Sequence, residues 1–189
     1  MASSSWKVAL FVLVCSLHIC CGADPQPEQI HISATDVLSL AREPTEMMVT
    51  WVTLAYTNYT IVEYNKAGFP LTLRASGGVT KFTDGGSEHR VLYIHRVKLT
   101  GLVPGQRYDY HVGGYDGWSG LYHFFALKSG EDWSPRIAFY GDLGSVNAKS
   151  ICHLQEDTQN GLYDAVLHVG DFAYNMDYVS LKSCITILI

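Results

Sequence analysis

The sequence predicts two structural classes in succession, an all-β sandwich and then a single parallel βαβ unit. Three observations carry this. From residue 30 to about residue 125, short apolar runs are separated by turn residues. Within that region Met47, Val49 and Trp51 alternate with Met48, Thr50 and Val52, the period of a strand with one face turned to a core. Beyond it, 137–140 and 165–169 are continuously apolar and each ends in Gly-Asp. Between them Ala148, Ile151, Cys152 and Leu154 recur at roughly helical spacing.

Residues 1–23 are set apart from the fold. Lys7 precedes the apolar run 8–21, which is too short to cross a bilayer and is followed by Gly22 and Ala23. This is the layout of a secretory signal peptide with cleavage after Ala23, and a secreted, unanchored product is expected. Removing it takes away Lys7 and leaves 12 basic against 18 acidic residues, a formal charge of −6. That balance excludes nucleic acid and anionic membrane as expected partners. Asn58-Tyr59-Thr60 is an N-glycosylation sequon in a turn-like stretch, as a secreted chain would carry. Three of the five cysteines go with the leader. Cys152 and Cys184 remain and are able to pair in an oxidising compartment, although the place of Cys152 on the apolar side of the helix favours a buried free thiol.

The extended lead-in 24–29 carries Pro25 and Pro27. Strands are expected at 30–33, 47–54, 61–64, 71–75, 91–99, 108–112 and 121–126, with Gly113 to Gly117 as the hairpin loop joining the last two. Thr100-Gly101-Leu102-Val103-Pro104-Gly105-Gln106-Arg107-Tyr108 has the form of a tyrosine corner, in which the Tyr108 hydroxyl bonds back to the backbone ahead of it. About seven strands and that corner make the sandwich fibronectin type III-like. Alternation assigns Trp51, Tyr93, Tyr108, Tyr110, Tyr122 and Phe124 to its core rather than to a binding surface. His89, His95, His111 and His123 lie in this region without metal-ligand spacing. Residues 24–127 form the expected sandwich domain, and 127–134 is the hinge.

In the βαβ unit, Gly161 is the expected helix stop, and Glu156-Asp157 is read as the helix's solvated face. Continuous apolar strands fit a parallel sheet covered on both faces. Asp142 and Asp171 then fall just past the carboxyl ends of two parallel strands, where sites form in open α/β sheets. One Gly-Asp is an ordinary turn, but two in one βαβ unit point to a shared site. Two carboxylates on one rim repel unless a cation or proton lies between them, and hard oxygen donors suit hard metal ions. Tyr174 follows Asp171 by three residues and offers a phenol to the same ion. His168, inside the second strand, is assigned to packing.

Gly-Asp-Leu-Gly at 141–144 and Gly-Asp-Phe-Ala-Tyr at 170–174 resemble the first two metallophosphoesterase motifs of the purple acid phosphatases, in their long animal form. The likeness covers residues 25–175. It implies phosphate monoester hydrolysis at a centre holding a ferric ion and a second metal, which is zinc, iron or manganese. Asp142 resembles an iron ligand, Asp171 the bridging carboxylate and Tyr174 the phenolate ligand. The fold class is therefore a fibronectin type III-like sandwich followed by the first βαβ unit of an α/β metallophosphoesterase domain, with 128–178 as the start of that domain. The family's Gly-Asn-His-Glu and Gly-His-x-His motifs do not occur in these 189 residues, so no catalytic acid is assigned and the chain alone is expected to be inactive. The alternatives are a non-catalytic secreted sandwich that binds a partner, or a non-functional fragment. Residues 179–189, VSLKSCITILI, match none of the family's motifs and read as an aberrant apolar, β-prone tail.

Overall fold

A computed structural model describes residues 24–35, 45–130, 132–143 and 149–170. Residues 1–23, where a leader is expected, and Ala148, Asp171, Tyr174, Cys184 and residues 179–189 lie outside the described residues.

Nine strands build the sandwich: β1 (Glu28–Ser33), β2 (Met47–Thr53), β3 (Ile61–Lys66), β4 (Leu73–Ser76), β5 (Gly78–Thr83), β6 (Val91–Leu99), β7 (Arg107–Gly114), β8 (Gly117–Trp118) and β9 (Tyr122–Phe125). One antiparallel sheet has the order β1-β2-β6-β5; the other runs β4-β3-β7-β8, with β9 also on β7. The first is the ABED order of an immunoglobulin-type sandwich, and β3-β7-β9 is the matching CFG sheet with β4 added at its edge.

Register explains the core. Met47 faces Leu99, Val49 faces Val97 and Trp51 faces His95 across β2 and β6. Val62 faces Val112 and Tyr64 faces Tyr110 across β3 and β7, and Tyr108 faces Phe124 on β9. Each sheet thus presents one period-2 face, and these residues other than His95, with Ile32, Leu102 and Ala126, form one buried hydrophobic cluster. Phe124 stacks on Tyr108 at 5.6 Å and meets Tyr110 edge-on at 5.6 Å.

The tyrosine corner is present as expected. Val103 N–H donates to the Tyr108 hydroxyl at 3.0 Å. Pro104 and Gly105 are the central pair of a turn closed by Gln106 N–H to the Val103 carbonyl at 3.1 Å, and the Gly105 φ of 72° is the value a type II turn demands.

Several expectations are corrected. The Gly113 to Gly117 stretch is mostly ladder, since Gly113 pairs with Trp118 and Gly114 with Gly117, leaving Tyr115-Asp116 as a two-residue turn. Glycine blurred the signal there because it adds no apolar side chain to a strand pattern. β5 was not expected at all; it is an edge strand that is exposed at nearly every position. β4 begins at Leu73, not residue 71. Tyr122 is 45% exposed although it lies opposite buried Tyr110, because β9 is the margin of its sheet. Tyr93 is half-buried.

β4 and β5 belong to different sheets yet are separated by one residue, Gly77. Its N–H donates to the Thr60 carbonyl at 3.0 Å, and a Cβ there would lie 1.9 Å from the Arg96 carbonyl oxygen. Only glycine fits that crossover.

The remaining elements are β10 (Ile137–Tyr140), α1 (Ile151–Gln159) and β11 (Ala165–His168). β10 and β11 pair in parallel, Ile137 with Ala165 through Tyr140 with His168. Gly161 (φ 69°) ends α1 as expected: Leu162 N–H reaches the Asp157 carbonyl at 2.8 Å and Gly161 N–H the Thr158 carbonyl at 2.9 Å, a Schellman arrangement. Arg136 fastens the far end, its guanidinium donating to the Gly161 carbonyl at 2.9 Å and its N–H to Asp164 at 2.8 Å. Cys152 is exposed, which corrects the buried thiol. The helix carries no fully buried residue, so the apolar stripe does not seat it deeply. Glu156 is exposed as expected, whereas Asp157 is half-buried and accepts the Tyr163 hydroxyl at 3.1 Å. Of the two sheet faces, one buries Ala138, whereas Ile137, Phe139 (70%), Leu167 and Val169 on the opposite face are exposed, as two strands without neighbours among the described residues leave them.

Candidate functional site

The rim formed by the carboxyl ends of β10 and β11 is the candidate site. The ladder continues one step past the strands, with Val169 N–H donating to the Tyr140 carbonyl at 2.7 Å and Asp142 N–H to the Gly170 carbonyl at 3.2 Å. Residue 171 is therefore the covalent neighbour of the group that holds the Asp142 backbone.

The two glycines of the Gly-Asp pairs have different reasons to be glycine. At Gly141 a Cβ would lie 2.1 Å from the Val169 carbonyl oxygen, so a side chain would wedge the strands apart. Gly170 meets nothing nearby but has a φ of 74°, which an L side chain resists. Asp142 itself takes a φ of 57°. A non-glycine residue there is uncommon, aspartate being one of the few that tolerate it, and such strain gathers at functional positions. Asp142 is exposed at the rim. Beneath it Tyr140 and His168 pack with ring centroids 4.8 Å apart, and burial raises the Tyr140 phenol pKa, holding it neutral.

The structure thus places Asp142, and places Gly170 beside it; Asp171 and Tyr174 fall outside the described residues. Among the described residues no group of three or more His, Cys, Asp or Glu side chains could hold a metal ion. No helix there is long and apolar enough to cross a membrane.

A second constellation was missed in the sequence. His95 is fully buried, stacked on Trp51 at 5.0 Å with planes 6° apart. The Thr53 hydroxyl gives its one proton to the Ala55 carbonyl at 2.7 Å, so it accepts from His95 Nε2–H at 3.0 Å. The Thr60 hydroxyl then donates to Nδ1 at 2.8 Å. Burial pushes the His95 pKa down to about 4. The signal was available: His95 shares the inward frame of Val97 and Leu99, and Thr53 that of Trp51.

Fold and rim together define a class of protein: a two-sheet β module joined to a parallel βαβ unit with an aspartate held in strain at its carboxyl edge. Residues 27–126 match the family model for the purple acid phosphatase N-terminal domain, which spans the sandwich from β1 to β9. The chain belongs to the purple acid phosphatase family. Acid phosphatase type 7 of Homo sapiens is 50% identical over 151 residues, covering 80% of this chain and 33% of that protein. Acid phosphatase type 7 of Danio rerio is 43% identical over 164 residues, covering 86% and 35%. The solved structure of purple acid phosphatase PPD1 from yellow lupin seeds shares the fold, with a TM-score of 0.64 at 23% identity over 79% of this chain and 30% of that one. The chain spans about a third of the length of the curated relatives it matches.

Proposed function

We propose that this chain is the N-terminal sandwich and first ligand-bearing unit of a secreted phosphate monoesterase, with residues 24–127 as the sandwich domain and 128–178 opening a metallophosphoesterase domain. The observation that carries the reading is the rim, where Asp142 in a left-handed conformation is hydrogen-bonded to Gly170, the residue before Asp171.

The donor set fits a hard cation in part. Carboxylates from 142 and 171 and a phenol from 174 are oxygen donors of the kind ferric iron takes, and the close strand approach at Gly141 brings the Asp142 backbone against Gly170. A ferric ion paired with zinc, iron or manganese would polarise the phosphate ester and activate water. The chain's own residues contribute position: Gly141 sets the strand spacing and the ladder hydrogen bond holds Asp142. No residue in the chain is assigned as the acid for the leaving group, so these 189 residues alone are not expected to turn over a substrate.

The test is ferric loading followed by visible absorption and by hydrolysis of a chromogenic phosphate ester at acidic pH. A phenolate-to-iron band that disappears in Tyr174→Phe and weakens in Asp142→Ala supports the site. Absence of the band in the unaltered chain removes it. A second reading, a secreted binding module without catalysis, is favoured by one observation: among the described residues, every buried apolar residue except Ala138 belongs to the sandwich, which holds its own core. Secretion of residues 24–127 alone as a stable monomer would favour it.

A further inference from the structure

The sequon Asn58-Tyr59-Thr60 sits in the connection between β2 and β3, and its residues face opposite ways. Asn58 is exposed, its Oδ1 accepting the Tyr56 hydroxyl at 3.0 Å. Thr60 is buried, its hydroxyl committed to His95 Nδ1 at 2.8 Å and its carbonyl to Gly77 N–H at 3.0 Å. Only a hydroxyl residue two positions on makes an asparagine an acceptor, so the glycosylating enzyme reads the threonine hydroxyl as well as the amide. In the folded domain that hydroxyl is turned into the core.

We propose that Asn58 is an N-glycosylation site that is open only before the sandwich closes. The donor is a lipid-pyrophosphate-linked oligosaccharide. Asn58 Nδ2 attacks the anomeric carbon and loses a proton; the new C–N bond forms as the C–O bond breaks, and the lipid pyrophosphate departs with the electron pair. Once Thr60 has docked on His95, an unmodified chain stays unmodified. A modified chain still folds, because Asn58 projects outward while Thr60 docks. The proposal rests on the secretory reading of residues 1–23, but its chemistry can be tested without that route.

The full chain is made in a host that does not glycosylate and shown to be folded by cooperative urea unfolding. It is then incubated with purified oligosaccharyltransferase and lipid-linked donor. A linear peptide of residues 54–64 and the full chain carrying Val97→Asp, which puts a charge where Val97 is fully buried, are treated alike. Peptide and opened chain are expected to gain the oligosaccharide at Asn58. The folded chain should react slower by about a thousandfold or more, since freeing Thr60 needs a core opening populated on the order of one part in a thousand or below. Modification of the folded chain within about tenfold of the peptide overturns the timing, because such a rate exceeds that open population. A peptide that takes no sugar overturns the site.

Discussion

Lowering the pH should remove a definite share of the sandwich's stability through one residue. His95 has an ordinary pKa of 6.5 and is held at about 4 in the fold, because burial penalises its charged form. The folded-state value lies below the unfolded one, so between them the unfolded chain binds the extra proton. Stability from this group is therefore complete above pH 6.5 and is lost as the pH falls towards 4. A gap of about two and a half units at about 1.4 kcal/mol each gives roughly 3 to 4 kcal/mol. The geometry agrees in direction: Nδ1 accepts from Thr60, and a proton placed there would force that buried hydroxyl to give up its donation and accept instead. The assay is urea unfolding from pH 7.5 down to 4, for the native chain and for His95→Gln, whose amide keeps a donor and an acceptor but does not titrate. The native midpoint should fall with pH much more steeply than the variant's. Parallel pH profiles for the two would refute the argument.

Other expectations are simpler to check. Tyr108→Phe removes the hydroxyl that takes Val103 N–H and should cost about 1 kcal/mol in urea or thermal unfolding. Gly141→Ala should separate β10 from β11, read as faster amide exchange at 165–168 with the sandwich midpoint unchanged. Native-state exchange should in any case be faster in β10 and β11 than in β2 and β6, because the face bearing Phe139 is open to water while Val49 and Val97 are fully buried. Cys152 should react with a thiol reagent in the folded protein without denaturant, as an exposed side chain.

How far the sequence disclosed this fold depended on where apolar side chains were available to mark it. β2, β3, β6 and β7 each carry an alternating or continuous apolar face, and their places were readable for that reason. β5 runs Gly78-Val79-Thr80-Lys81-Phe82-Thr83 and is held to β6 by its backbone rather than by packing, so no periodicity betrays it. The hairpin at Tyr115-Asp116 was obscured because glycines do ladder work on either side. On the helix, Ile151, Cys152 and Leu154 have the right spacing, but a nine-residue helix with no fully buried side chain gives spacing little to act on. At the rim, the Gly-Asp pairs were visible as a pattern, while the distinct reasons for Gly141 and Gly170 appear only when the strands are brought into register. His95 was hidden by type: a histidine in an apolar frame reads as an exception until Thr53 and Thr60 arrive from another part of the chain.

The crossover at Gly77 has a mechanical meaning. Two sheets joined by long loops can shear past each other at small cost, each loop taking up the slack. Here β4 and β5 leave one residue between the sheets, and it is clamped from both sides, by the Thr60 carbonyl on one strand connection and the Arg96 backbone on β6. That single residue acts as a rivet, and a load applied to one sheet passes directly to the other.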